Sequence, residues 1–158
     1  FPNGIGDARW HVASGQLFLG IDHTAIVVAN TSKSLGFYRD LLGLVVAGES
    51  ENYGTEQEHL NSVFGARLHI TTLRPQSGPG VELLEYLTPR DGRPYPRDEQ
   101  ANDLVHRQTL FSIRDVARLA GQMREARTTF VSSEIQSIAG KSIVVRDPDG
   151  HAIQISER

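Results

Sequence analysis

The two halves of this chain repeat one order of secondary-structure signals, and that repeat limits the folds open to the sequence. The segment His23–Val28 (HTAIVV) runs into a helix, and Gln108–Ile113 (QTLFSI) does the same. The segments start 108 − 23 = 85 positions apart, and Asn30 and Asp115, both common helix N-cap residues, are separated by the same number. A repeat in register through a strand and a helix cap predicts a duplicated βαβββ unit.

A further strand closes each half, at Val81–Glu85 and at Ile153–Glu157. Overlaying the halves places one polar side chain at an equivalent position on each of four strands, which predicts a central cleft. These four side chains are His23, Glu82, Gln108 and Gln154. Side chains alternate along a strand, so Glu82 is expected to face the cleft while Glu85 points away from it. Two of the four cleft positions therefore carry neutral amides.

The predicted fold class is α+β, with two paired βαβββ modules forming a curved mixed sheet around this cleft. The modules cover about residues 19–88 and 104–157 of a domain at 19–158. Residues 1–18, rich in glycine and polar residues, are typical of an N-terminal arm or linker.

Helix signals in the first module are clear at both ends. Asn30 or Thr31 is a suitable N-cap, and Gly43 lies where a glycine commonly follows a helix. The remaining expected elements are a short helix at 56–64, a helix after Asp115, and strands at 17–28, 44–49, 67–73, 81–87, 105–113, 129–133, 142–146 and 152–157.

Length and composition indicate one soluble domain. A chain of 158 residues can bury a core, and a formal charge of −3 gives none of the basic excess of a nucleic-acid surface. No apolar run approaches the roughly 18 residues that span a bilayer. The absence of cysteine excludes a disulfide framework and a thiolate nucleophile. These features fit a cytoplasmic protein whose partner is a small molecule rather than nucleic acid or a membrane.

Three segments together resemble the vicinal oxygen chelate superfamily. They are Ile21–Val28 (IDHTAIVV), Ser34–Gly43 (SLGFYRDLLG) and Val145–Gly150 (VRDPDG), the last followed by Ile153-Gln-Ile. That superfamily includes glyoxalase I, methylmalonyl-CoA epimerase, extradiol dioxygenases and the bleomycin- and fosfomycin-resistance proteins. The resemblance covers residues 19–157 and implies the glyoxalase-like fold. It specifies the reaction weakly, because one fold hosts many activities.

The resemblance also implies a metal site. In the metal-dependent members each of four strands supplies one ligand, and by register the ligands here would be His23, Glu82, Gln108 and Gln154. The ion would be divalent Mn, Fe, Co, Ni or Zn, and Glu82 would be the catalytic acid that moves a proton. An amide oxygen can coordinate such an ion but neutralises no charge. His106, two residues before Gln108, is the alternative, as a residue that lines the pocket and binds substrate.

Two classes of function follow from the resemblance. One is a metal-dependent lyase, isomerase or oxidoreductase acting on a small oxygenated substrate, with lyase or isomerase chemistry fitting better than extradiol cleavage. The other is non-catalytic binding of a small molecule, as in bleomycin resistance, which the two glutamines favour. The N-terminal arm resembles a connection from an upstream tandem module, for which this chain would be a scaffold, and paired modules allow a homodimer. His151, beside the turn glycine, is expected to be a solvated turn residue.

Overall fold

The chain folds into two βαβββ modules that each build one mixed sheet. The computed structural model describes residues 20–133, 135–137 and 140–157. The predicted arm at 1–18 and the expected strand start at 17–19 lie outside the described residues. Among those described, no helix is long and apolar enough to cross a membrane.

The first module contains four strands, in the order β1-β4-β3-β2. β1 runs parallel to β4, and the other neighbours are antiparallel. Its elements are β1 (His23–Val28), α1 (Thr31–Leu35) continued by a π-helical segment (Gly36–Leu41), β2 (Val45–Tyr53), α2 (Thr55–Asn61), β3 (Arg67–Arg74) and β4 (Gly80–Thr88).

The second module repeats this plan, with the strand order β5-β9-β8-β6 and β7 paired to β8. β5 is parallel to β9, as β1 is to β4. Its elements are β5 (Gln108–Ile113), α3 (Val116–Glu125), β6 (Thr129–Phe130), β7 (Ile135–Ser137), β8 (Gly140–Arg146) and β9 (Ala152–Glu157). The predicted α+β fold of two βαβββ modules is confirmed.

The strand registers reproduce the sequence repeat residue by residue. In the first module Ala25 pairs with Glu82, and in the second Leu110 pairs with Gln154. The offset is 110 − 25 = 85 on the opening strands and 154 − 82 = 72 on the closing strands, as in the sequence overlay. Equivalent residues of the two modules therefore occupy equivalent positions in their sheets.

The helix caps repeat as well. The Asn30 side chain accepts a hydrogen bond from the Lys33 backbone N–H at 2.9 Å. The Asp115 side chain accepts one from the Arg118 N–H, also at 2.9 Å. Each cap satisfies an amide that has no partner inside its own helix, which fixes where the helix begins.

The two modules share one hydrophobic core, which lies between their helices and sheets. The fully buried side chains of this core come from both halves of the chain. They include Ile26, Tyr38, Leu73 and Leu83 from the first module and Val116, Met123, Ile143, Ile153 and Ile155 from the second. Because neither module buries its apolar face alone, the shared core holds the two sheets in a defined relation.

The sequence predicted one continuous helix before Gly43, but the first helix has two parts. After Leu35 it widens into the π-helical segment, where the Leu42 N–H bonds to the Phe37 carbonyl five residues back at 3.0 Å. The wider turn accompanies the burial of Phe37 and Tyr38 side by side, with their rings in an edge-to-face contact of 5.1 Å. Gly43 follows with φ +76°, as its predicted position after the helix requires.

Other boundaries shift where packing or pairing decides them. The strand expected at 44–49 extends to Tyr53 because β3 pairs with it along its whole length. The helix expected at 56–64 ends at Asn61, and the strand expected at 129–133 ends at Phe130. The short strand β7 was missed in the sequence analysis.

Candidate functional site

Alternation along the strands separates an apolar face from a polar one. On β1, Ile26 and Val28 are buried in the shared core, so His23 lies on the opposite face. The same alternation puts Glu82 opposite the buried Val81 and Leu83 of β4. The face of each sheet that is turned away from the shared core is called the polar face below. All four predicted cleft residues lie on it.

In the first module, His23 and Glu82 contact each other directly. The Nε2 atom of His23 lies 3.3 Å from Oε2 of Glu82, and each side chain is 20% exposed. The Thr72 hydroxyl donates a hydrogen bond to Oε1 of Glu82 at 3.1 Å. Thr72 is the register partner of Glu82 on β3, so this bond follows from the strand pairing. One oxygen of the carboxylate is thus held by the sheet, while the other faces the imidazole.

A second carboxylate lies on the other side of the imidazole. Nδ1 of His23 donates to Oδ2 of Asp22 at 3.0 Å, and Arg74 NH2 donates to the same oxygen at 3.1 Å. The hydrogen bond from Arg74, followed by that from His23, lowers the pKa of Asp22. Asp22 is therefore ionised at neutral pH and fixes the orientation of the His23 ring. A histidine that binds a metal or accepts a proton through one ring nitrogen usually donates a hydrogen bond to a carboxylate through the other.

The second module places two amides where the first has an imidazole and a carboxylate. Nε2 of Gln108 donates a hydrogen bond to Oε1 of Gln154. Nε2 of Gln154 lies 3.4 Å from the Ser156 hydroxyl oxygen, to which it donates. The predicted equivalence of these positions thus extends to side-chain contact, because each module pairs its own two polar residues across its parallel strands.

The sequence predicted that His106 and Gln108 lie on one strand, but β5 begins only at Gln108, so His106 precedes the strand. Its Nδ1 instead donates to Oε1 of Glu99, a residue of the segment that joins the modules. The Glu99 side chain is 1% exposed, and its other oxygen accepts from Arg146 at 2.6 Å. The hydrogen bond from Arg146, and then that from His106, lowers the pKa of Glu99. Sequence reasoning did not identify Glu99 or Arg146, although Arg146 lies 146 − 74 = 72 positions after Arg74, which is the offset of the closing strands.

Glu85 points away from the polar face, as predicted. Its Oε2 accepts from the Thr31 backbone N–H at 2.8 Å, and its Oε1 contacts Arg90 at 3.1 Å. Burial acts to raise the pKa of Glu85, but the Thr31 hydrogen bonds and the charge of Arg90 lower it overall. Glu85 thus stabilises the start of α1.

The prediction that His151 is solvated is wrong. His151 is buried, and its Nδ1 donates to Oδ2 of Asp147 at 2.9 Å. The Tyr38 hydroxyl of the first module donates to the same oxygen at 2.7 Å. Burial acts to raise the pKa of Asp147, but the hydrogen bonds and charge of His151 lower it overall. The turn after β8 is therefore a buried polar connection between the modules.

The donor set of the polar face fits a divalent ion only in part. Within the described ranges, no group of three or more His, Cys, Asp or Glu side chains is positioned to hold a metal. His23 and Glu82 are suitable donors, whereas the amides of Gln108 and Gln154 are bonded to each other and carry no charge. A groove of about 350 Å³ lies elsewhere, between the π-helical segment and residues 126–129, and none of the four residues lines it.

Comparison with known proteins identifies a family for the chain. The family model described as the Glyoxalase/Bleomycin resistance protein/Dioxygenase superfamily matches residues 20–155. No curated protein sequence matches the chain. A glyoxalase family protein from Bacillus cereus superimposes with a TM-score of 0.79 at 19% identity, over 92% of this chain and 98% of that one.

Two further structures of the same fold belong to proteins with different functions. A trypanothione-dependent glyoxalase I from Leishmania major gives a TM-score of 0.60 at 20% identity, over 87% of this chain and 86% of its own. TnmS3, an antibiotic binding protein from Streptomyces, gives 0.58 at 15% identity, over 90% and 98%. At these identities the likeness concerns the fold alone.

Proposed function

Because the chain belongs to the Glyoxalase/Bleomycin resistance protein/Dioxygenase superfamily, we propose that it binds a small oxygenated molecule on its polar face. The observation that carries this proposal is the direct hydrogen bond between Gln108 and Gln154. Each amide offers both a donor and an acceptor, so the pair can exchange its mutual bond for bonds to a ligand without moving any charge. Such a site recognises hydroxyl and carbonyl groups and needs no metal.

Exposed apolar surface beside the amide pair also supports the proposed binding of a small molecule. Leu110 lies on the polar face beside Gln154, its register partner, and is 57% exposed. A face that combines exposed apolar area with a few convergent polar groups is typical of small-molecule sites. The antibiotic binding protein TnmS3 shares the fold, which supports binding without chemistry as one use of it.

Calorimetry on metal-free protein tests the proposal. The protein is treated with a chelator and titrated with bleomycin and with catechol. We expect saturable binding to one of them, weakened about fivefold in Gln154→Leu, because one lost hydrogen bond is worth about 1 kcal/mol. Gln122→Leu, at an exposed position of α3, is the matched control and should bind as the wild type does. Equal binding by all three proteins would refute the role of the amide pair.

A metal-dependent lyase, isomerase or oxidoreductase is the second candidate, and the Asp22–His23–Glu82 arrangement favours it. The Asp22 carboxylate accepts from Nδ1 of His23, which leaves Nε2 directed at Glu82. A divalent ion held by His23 and Glu82, with Gln108 and Gln154 as the remaining predicted ligands, would take the place of the direct contact between Nε2 and the Glu82 carboxylate. When bound, such an ion would polarise an oxygen atom of the substrate. Glu82 would then also be the predicted group for proton transfer.

Elemental analysis of the purified protein separates the two candidates. Stoichiometric Mn, Fe, Co, Ni or Zn that is lost in His23→Ala and in Glu82→Ala, but kept in His59→Ala, would support the metal-dependent function. His59 is the control because it lies exposed on α2. A wild-type protein that takes up none of these ions from excess solution would exclude it and leave the binding function.

The predicted assembly is also a proposal. We propose that modules pair within this chain through the shared core, and that a homodimer is an additional level of assembly. Sedimentation at several protein concentrations measures this directly. The upstream tandem module predicted from the N-terminal arm is tested by determining the sequence that precedes Phe1.

A further inference from the structure

The second module contains a buried carboxylate that holds the ring of a histidine close to the start of β5. Glu99 accepts hydrogen bonds from Arg146 through one oxygen and from His106 through the other. Arg146 is itself fixed, because its second terminal nitrogen donates to the Gly150 carbonyl at 2.9 Å. The His106 backbone N–H donates to the Asp103 carbonyl at 3.0 Å, and this bond fixes the backbone at His106. The imidazole is therefore held from both its ring and its backbone.

Strand register places this cluster beside the amide pair. Arg146 pairs with Ala152 on β9, and Ala152 pairs with Gln108 on β5. The three residues form one row across adjacent strands, so the Arg146 and Gln108 backbones are about 10 Å apart. Gln154 follows Ala152 by two positions and shares its face. His106 is not part of β5, but two residues of chain span at most about 7 Å, so it lies close to Gln108. Its ring bonds to Glu99, and Glu99 bonds to Arg146, which lies opposite the buried Val145 and therefore on the polar face of β8. The histidine and the two amides therefore lie near one another.

The first module contains the same three kinds of group. There Arg74 holds Asp22, and Asp22 holds His23. Arg74 on β3 and Arg146 on β8 occupy equivalent register positions in their modules. Each arginine donates to a carboxylate, and that carboxylate accepts a hydrogen bond from Nδ1 of a histidine. Both modules therefore contain an arginine–carboxylate–histidine arrangement, although the second carboxylate comes from the connecting segment rather than from the residue before the histidine.

The two histidines differ in what their other nitrogen meets. Nε2 of His23 faces Glu82 at 3.3 Å. Nε2 of His106 has no hydrogen-bond partner among the residues that the structure describes, and the ring is 22% exposed. An ionised carboxylate only accepts, so Glu99 requires the hydrogen on Nδ1. In the neutral ring, Nε2 then carries the lone pair and acts as an acceptor only.

We propose that His106 is a ligand-binding residue that accepts a hydrogen bond at Nε2 from a hydroxyl group of the bound molecule, with Glu99 and Arg146 as the positioning residues. This inference rests on the proposed binding function and adds the chemical class of its ligand. The molecule carries a hydroxyl donor, phenolic, enolic or alcoholic, next to groups that bond to Gln108 and Gln154. The corresponding methyl ether lacks the donor and leaves Nε2 without a partner, so it binds more weakly.

Nuclear magnetic resonance of the ¹⁵N-labelled protein tests the inference without an identified ligand. In the free protein, the ring nitrogens of His106 should show the Nδ1–H tautomer. The protein is then titrated with phenol and with its methyl ether, anisole, while the His106 ring and the side-chain amides of Gln108 and Gln154 are observed. We expect phenol to shift Nε2 of His106 and to bind about tenfold more tightly than anisole. This preference should disappear in His106→Phe and persist in His59→Phe.

The outcomes separate this inference from the function on which it rests. If both probes shift the glutamine amides equally and leave Nε2 of His106 unchanged, the polar face binds small molecules but His106 does not select hydroxyl groups. If neither probe shifts any of these signals, both proposals fail. A free protein with the hydrogen on Nε2 also overturns the inference. The tautomer and the phenol preference are wild-type measurements, so they decide the matter even if His106→Phe folds poorly.

Discussion

Replacing Tyr38 by phenylalanine tests the buried connection between the modules. The Tyr38 ring is fully buried, and its hydroxyl donates to Oδ2 of Asp147 at 2.7 Å. Burial raises the pKa of Tyr38 above its usual range, so the phenol stays protonated and is the donor. Phenylalanine keeps the ring packing and removes this one bond.

The expected cost follows from the state of Asp147. Its side chain has no exposed surface, and its pKa is lowered, so the hydroxyl donates to a buried charge. Hydrogen bonds to charged groups are worth about 1.5–3 kcal/mol. Asp147 keeps three other donors, the His151 ring and the backbone N–H groups of His151 and Asp149. We therefore expect a loss of about 2 kcal/mol, near the lower end of that range.

The loss is measurable in two ways. For a chain of this size each kcal/mol lowers Tm by about 2–4 °C, so Tyr38→Phe should melt about 4–8 °C below the wild type. Urea unfolding should give the same free-energy difference with an unchanged slope. Tyr53→Phe is the control, because Tyr53 is 71% exposed and should change the stability by less than about 0.5 kcal/mol. Equal stability of Tyr38→Phe and the control would refute the reasoning.

Three further predictions concern caps, carboxylates and acid. Asn30→Ala and Asp115→Ala should each cost about 1 kcal/mol in urea unfolding, because each removes an N-cap bond; a loss at only one cap would contradict their equivalence. Glu85→Gln should destabilise the fold by about 1–2 kcal/mol because it weakens the contacts to Thr31 and Arg90. Compared with Glu85→Gln, Glu82→Gln should lower Tm less and weaken ligand or metal binding more. A larger effect of Glu82→Gln on Tm than on binding would contradict its assignment to the polar face. The lowered pKa of Asp147 contributes stability above the unfolded value of about 4, and this contribution is lost as the pH falls through the folded value. Asp147→Asn should therefore weaken the dependence of stability on pH below about 4.

The sequence predicted the fold well because the repeat carries redundant information. Two copies with the same offset constrain the strands and caps independently, and a one-residue error would move every side chain to the wrong face. The boundaries that were missed depend on tertiary contacts. The π-helical segment accompanies the burial of Phe37 and Tyr38, and the length of β2 follows from its pairing with β3.

The candidate site was predictable only where it follows the repeat. His23, Glu82, Gln108 and Gln154 lie on strands, and alternation together with register was enough to place them. Glu99 lies in the connecting segment, whose path no periodic pattern describes, so its contact with His106 was not foreseen. The prediction for His151 was wrong because a turn residue is usually solvated, whereas here Asp147 and His151 at the two ends of the turn are buried, and Asp147 bonds to Tyr38 of the other module.

The repeat also predicts how the second module would gain a metal site. Its backbone register is that of the first module, so Gln108→His with Gln154→Glu would recreate the pair formed by His23 and Glu82. Imidazole and carboxylate are ligands that zinc prefers, whereas the amides they replace neutralise no charge. The double variant should therefore bind Zn²⁺ at least about tenfold more tightly than the wild type in calorimetry, a gain of about 1.4 kcal/mol. Gln122→His, which adds an exposed histidine on α3, should give no such gain. Equal affinity of the double variant and this control would mean that strand register alone does not set the geometry of the polar face.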